Sequence, residues 1–270
     1  MKRWKRTQGG IRWIAVAALW TAGAHAQDAT ELAHLVQNPI AQVISLPLQD
    51  NLTFGVGPRS DPQNVLNIQP VVPFALNHNW NIISRTIIPL IQEPELVRGG
   101  GSTGGLGDVS LAIYLSPATT YRHLIWGVGP AFTFATATNE VLGQGKFSAG
   151  LSAVALTIQG HWLIGTLVTD VASAAGVSYR RRVHQMLVQP FINYNFSGGW
   201  YLTSSPIITA NWEARGSQQW TVPLGGGGGR TFRVGKQALN AYVQAFGNVV
   251  APHEAGNWTL RVQLQLLFPR

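Results

Sequence analysis

The chain has 270 residues, a formal net charge of +8, no cysteine, and only 11% charged residues. The missing cysteines exclude a disulfide scaffold, a thiolate metal site and a cysteine nucleophile. Charge far below the roughly 25% of an ordinary soluble domain, without long apolar runs, suits a transmembrane barrel, in which one side of each strand meets lipid and the other a polar lumen.

In chain order, Lys2, Arg3, Lys5, Arg6 and Arg12 form a basic region, Trp13 to Trp20 is a short apolar stretch, and Ala24-His25-Ala26 is a small-x-small cleavage site. Together they predict a secretory signal peptide over 1–26, and the apolar run is too short for a membrane-spanning helix. Its removal leaves 244 residues with 14 positive and 11 negative groups, a net of +3. The basicity therefore belongs largely to the discarded peptide and implies no nucleic-acid partner.

Asp28 to Gln37 is expected to be a short helix, capped by Asp28 or Thr30, with Leu32, Leu35 and Val36 as an apolar stripe and Asn38-Pro39 as its stop. Residues 27–41 form a leader, and 42–270 form one all-β domain. Twelve strands are expected, at about 42–57, 63–76, 79–91, 104–116, 123–136, 145–158, 162–174, 183–196, 200–213, 217–233, 237–247 and 257–268. Phe147 to Thr169 carries no formal charge, but Gln159-Gly160-His161 at its middle favours a hairpin over one membrane helix. Pro70, Pro73, Pro89, Pro130, Pro190, Pro206 and Pro223 fall inside strands, and bulges are expected there.

The last strand is the clearest. Trp258, Leu260, Val262, Leu264, Leu266 and Phe268 alternate with Thr259, Arg261, Gln263, Gln265 and Leu267. Strand side chains alternate between faces, so one face is wholly apolar, with Trp258 and Phe268 as interface aromatics. The second, sixth, eighth and tenth connections are tight, whereas the third, fifth, seventh and eleventh are longer. Alternation of short and long connections is a mark of antiparallel up-and-down outer-membrane barrels.

The segments Gln37-Asn38-Pro39-Ile40-Ala41, Leu66-Asn67-Ile68-Gln69-Pro70-Val71-Val72-Pro73-Phe74, Trp80-Asn81-Ile82-Ile83-Ser84-Arg85-Thr86, Gly105-Leu106-Gly107-Asp108, Trp126-Gly127-Val128-Gly129-Pro130 and Leu266-Leu267-Phe268-Pro269 run in order through most of the chain. In these segments it resembles bacterial outer-membrane proteins labelled transporters of the MetA-pathway of phenol degradation, often misnamed neuromedin U. The resemblance implies an outer-membrane barrel and uptake of small, often aromatic, molecules. The run Gly225 to Gly229 departs from that family's pattern of larger alternating residues.

For the site, the strand assignment points Arg85, Asp108, Asp170, Glu213, Arg233 and Arg261 into the lumen, either bracing the barrel or filtering solutes. Twelve tilted strands leave a lumen of about 12 Å between inward side chains, about one helix wide. The N-terminal helix is accordingly a candidate plug, with Gly225, Gly227 and Gly229 as its docking groove; a helix lying at the periplasmic rim is the alternative. His184 and Asp170 flank one loop, without a nucleophile placed beside them, and no spacing suggests a metal or other cofactor. Arg180-Arg181-Arg182 is expected in an outer loop, facing lipopolysaccharide phosphates. The expected function is a channel or transporter for small, hydrophobic or aromatic solutes. A closed structural barrel and a lipid-acting enzyme are the alternatives.

Overall fold

The computed structural model describes residues 32–96, 101–120 and 122–268. The expected signal peptide and the two candidate helix caps, Asp28 and Thr30, lie outside the described residues.

Fifteen strand segments follow one another: β1 (Ile44–Val56), β2 (Asp61–Ile68), β3 (Val71–Ala75), β4 (Trp80–Glu93), β5 (Thr103–Leu106), β6 (Val109–Pro117), β7 (Leu124–Phe134), β8 (Lys146–Gln159), β9 (Trp162–Gly176), β10 (His184–Asn195), β11 (Trp200–Ser204), β12 (Ile208–Asn211), β13 (Trp220–Val234), β14 (Gln237–Val250) and β15 (Ala255–Phe268). The pairs β2/β3, β5/β6 and β11/β12 are halves of interrupted strands, so the fifteen segments make twelve. All neighbours are antiparallel, and β1 pairs with both β2 and β15, which closes the sheet into a barrel. Closure removes the free edges and gives every strand a backbone partner on both sides, the condition for crossing lipid.

Most of the strand prolines sit where the ladder is broken, but no bulge forms at Pro73, which stands opposite Ile83 in an unbroken register between β3 and β4. Pro70 and Pro206 lie in the interruptions of the second and ninth strands, and the register shifts between Val222 and Pro223. Pro190 stands opposite the ninth-strand interruption, and the pairing of β6 with β7 skips Pro130. A residue without an N–H cannot serve a continuous ladder, so one strand yields at each of these places.

The register of β15 follows the expected alternation. Arg261, Gln263, Gln265 and Leu267 are buried inside the barrel, while Val262 and Leu264 are 43% and 42% exposed on the outside. Aromatic side chains gather outside at both ends. Phe54 stacks on Trp258 at one end, and Trp80 meets Trp126 edge-on at the other. The end that carries the N-terminal segment and Phe268 is termed proximal, the opposite end distal. Proximal turns are short, as at 160–161 and 235–236, and distal connections include the longer 135–145. The eleventh connection, expected to be long, is only 251–254. β14 and β15 continue past the point where apolar alternation stops, and Asn248 Nδ2 donates to the Gly256 carbonyl there.

Candidate functional site

Among the described residues, two cavities lie in the barrel interior. A distal vestibule has a volume of ≈750 Å³, and a proximal space only ≈130 Å³. Gln49, Gln69, Arg85, Leu167 and Gln189 border both and form the septum between them. These residues come from β1, the second-strand interruption, β4, β9 and β10.

Below the septum the lumen is filled by the chain's own N-terminal segment. Residues 32–37 are helical. Leu32 and Val36, one helical turn apart, pack on the inward Ala238 of β14 and Leu267 of β15. Leu35 does not share that face; it is 39% exposed and borders the proximal space. Gln37 donates to Asn195 Oδ1 at 2.8 Å and accepts from Asn195 Nδ2 at 3.2 Å. Asn38 Oδ1 accepts the Ile40 N–H at 3.0 Å, turning the chain so that Ile40, 2% exposed, enters a cluster with Val71, Ile83 and Tyr114.

The opposite wall is polar. Gln49 donates to Tyr242 Oη and Gln263 Oε1, both at 3.0 Å, and Tyr201 donates to Asn240 Oδ1 at 2.6 Å. Buried amides and phenols satisfy one another there, as removal from water requires. Arg261, 4% exposed, belongs to this wall. It donates to Asn51 Oδ1 and the Ser205 carbonyl, both at 2.9 Å, and lies 4.8 Å from the centroid of the Phe246 ring. Its partners are neutral acceptors and a ring face rather than a carboxylate.

Of the other expected lumen charges, Arg85 lies in the septum and donates to Gln69 Oε1 at 2.8 Å. Arg233 shares the inward register of Thr231 but is exposed at the proximal rim. Three acids do not face the lumen. Asp108 sits at the distal interruption of the fourth strand, where its carboxylate accepts the N–H groups of Ala137 at 3.1 Å and Gln144 at 2.6 Å, holding a distal loop. Asp170 points outward, because β9 turns Leu163, Leu167 and Val171 inward. Glu213 lies in a distal turn beyond the end of β12, closed by Asn211 Oδ1 accepting its N–H at 3.1 Å.

The glycine run does not dock the helix. Tyr201 occupies the space over Gly229, where a Cβ would come within 2.5 Å of the phenol ring. At Gly225 and Gly227 an added Cβ would lie 1.9 Å from a carbonyl oxygen of β14. The run serves close approach of two strands and the seating of a tyrosine, and the helix packs on Ala238 and Leu267 instead. Nothing in the glycine spacing distinguishes these uses; the tyrosine that fills the groove is 28 residues upstream.

On the outer surface near the distal rim, His184 Nε2 lies 2.9 Å from Asp170 Oδ1, and Trp212 Nε1 donates to Asp170 Oδ2 at 3.1 Å. Their outward-facing strand neighbours Ala172, Met186 and Ala210 carry no hydroxyl. Among the described residues, no group of three or more His, Asp and Glu side chains is placed to hold a metal.

Arg180 is folded into the distal loops. It donates to the carbonyls of Glu140, Gly143 and Gln144. Beside it the Tyr179 hydroxyl donates to Glu140 Oε1 at 2.8 Å, and that bond raises the phenol's pKa above its ordinary value. Arg180→Ala is expected to release residues 135–145 to added protease while leaving the barrel's unfolding temperature unchanged, because the clamp touches only loop carbonyls. Unaltered cleavage in a timed digest would show that the clamp does not order the loop.

No family model matches the sequence, and no curated protein matches it. Among solved structures the chain is similar to the COG4313 outer membrane channel from Pseudomonas putida F1, with a TM-score of 0.62 at 16% identity over 84% of this chain and 94% of that one. The outer membrane phospholipase A from Escherichia coli matches at 0.46 and 12% identity, covering 89% of this chain and 97% of that one. The CymD monoaromatic hydrocarbon channel matches at 0.46 and 11% identity, covering 91% and 93%. The first likeness and the closed ladder agree on the architecture: the chain is a twelve-stranded antiparallel β-barrel of the outer-membrane kind, with a short helix at its N-terminus.

Proposed function

We propose that this protein is an outer-membrane channel for small molecules with an apolar body, held shut from the periplasmic side by residues 32–41. The observation that carries the proposal is the position of that segment, with Leu32, Val36 and Ile40 buried inside the proximal mouth. A purely structural barrel has no need of a 750 Å³ vestibule that leads to a septum with a removable segment beneath it. The vestibule supports the solute class, since Ile87, Val171 and Leu187 line it beside glutamines and threonines. The sequence resemblance to the phenol-degradation transporters points to aromatic solutes within that class.

In this reading residues 1–26 direct export and are removed, the proximal end faces the periplasm, and the exposed Arg182 at the distal end meets lipopolysaccharide phosphates. The segment is held by modest contacts, a few apolar side chains and the paired Gln37–Asn195 amides, a scale suited to displacement without unfolding the barrel. The test is single-channel recording in planar bilayers of the processed chain beside a variant lacking residues 28–41. The variant is expected to show larger or more frequent openings. Identical conductance in the two would eliminate the plug, and silence in both would favour the closed structural barrel.

A further inference from the structure

We propose that the septum is an anion filter, and that the solutes it passes are small organic monoanions, carboxylates with an apolar body. This deepens the channel reading above and rests on it. The two cavities share five residues, and Arg85 is the single charged one among them. The other charged side chain lining the vestibule is Arg181, and among the described residues no aspartate or glutamate lines either cavity. Among the described residues Arg85 has one hydrogen bond, to the neutral Gln69, so most of its guanidinium donors remain for a solute. The carboxylate nearest in level, Asp50, alternates outward between the inward Gln49 and Asn51 and takes Asn64 as partner at 2.8 Å. It therefore does not neutralise the septum from within the lumen.

The charge along the barrel points the same way. Every described carboxylate except Asp50 belongs to the distal half, whereas Arg230 and Lys236 lie at the proximal end. An anion that passes Arg85 thus moves toward further positive charge, while a cation meets it head-on. The apolar side chains Ile87, Leu167 and Leu187 beside the arginine and the septal glutamines offer contact to a hydrocarbon body while the carboxylate is held. Guanidinium binds carboxylate through two parallel bonds, which chloride cannot reproduce. A unit charge about 4 Å from a permeating ion biases its occupancy about fivefold even at water's dielectric constant.

The experiment uses the variant lacking residues 28–41 in planar bilayers, with potassium chloride and potassium benzoate as probes. Reversal potentials across a salt gradient are expected to give an anion-to-cation permeability ratio of about five or more. Arg85→Gln should bring the ratio close to one, and Arg85→Glu should invert it. Benzoate should reduce chloride current where benzamide does not, and Arg85→Lys should keep the anion preference while losing most of the benzoate effect. Cation selectivity, or the same ratio with Arg85→Gln, overturns the filter. If the truncated chain does not conduct, the channel reading fails by itself. Titration calorimetry of the intact chain in detergent then decides the anion site: benzoate heat abolished by Arg85→Gln supports it, and no heat overturns it.

Discussion

Gly225→Ala and Gly227→Ala will each destabilise the barrel severely, while Gly228→Ala, in the same run, will be tolerated. A Cβ at Gly227 would stand 1.9 Å from the Val243 carbonyl oxygen and 2.8 Å from the Gln244 Cα. At Gly225 the same distances are to the Ala245 oxygen and the Phe246 Cα. The obstructing atoms are backbone, so no rotamer change relieves the clash, and the ladder between β13 and β14 must part. At Gly228 the nearest atom is the Tyr201 carbonyl oxygen at 3.4 Å, which is ordinary contact. Overpacking at the first two sites is expected to cost about 3 kcal/mol or more. Urea midpoints in detergent and the heat-dependent shift in gel mobility would measure it. Equal midpoints for the three variants would mean that the strands are not packed this closely.

Leu264→Arg will impair insertion, whereas Gln189→Arg will leave it nearly intact. Leu264 lies outside, midway between the stacked Phe54–Trp258 pair and Phe268. An arginine there faces the hydrocarbon and costs about 2–4 kcal/mol. Gln189 faces the septum between two cavities, where a charge meets polar neighbours and space. Its expected effect on stability is about 0.5 kcal/mol or less, with a change in ion selectivity instead. Refolding yield into lipid vesicles separates the two. Similar losses would mean a register displaced by one residue, which turns every side chain to the other face.

Strands are legible where their two faces differ chemically and ambiguous where they do not. β15 was legible because its two faces differ chemically, and its register places Arg261 inside as expected. β9 carries Leu163 and Ile164, then Leu167 and Val168, so apolar residues occupy both faces and periodicity does not assign Asp170 a side. Toward the proximal end the inward face of β9 is apolar because Leu163 and Leu167 pack in one cluster with Ile40 and Phe191 inside the barrel. The sequence of the ninth strand reads as continuous and so puts Glu213 in the wall, whereas Pro206 and Asn211 break and end it. Helical spacing alone groups Leu35 with Leu32 and Val36, and only the contacts with Ala238 and Leu267 reveal which side is packed.

What the sequence determines by itself is the kind of barrel. Period-two alternation, low charge, turn residues and loop lengths each act over a few neighbours, so strand number, strand order and the facing of most strands are local properties of the chain. What only the tertiary structure decides is the inside. The septum joins Gln49, Gln69, Arg85, Leu167 and Gln189 across more than half the chain, and closure of the barrel brings them together. The neutral partners of Arg261, the tyrosine over the glycine run and the seat of Ile40 arise in the same way. Lumen contacts depend on the stagger of twelve strands around a closed circle, and no stretch of sequence a few residues long contains that information.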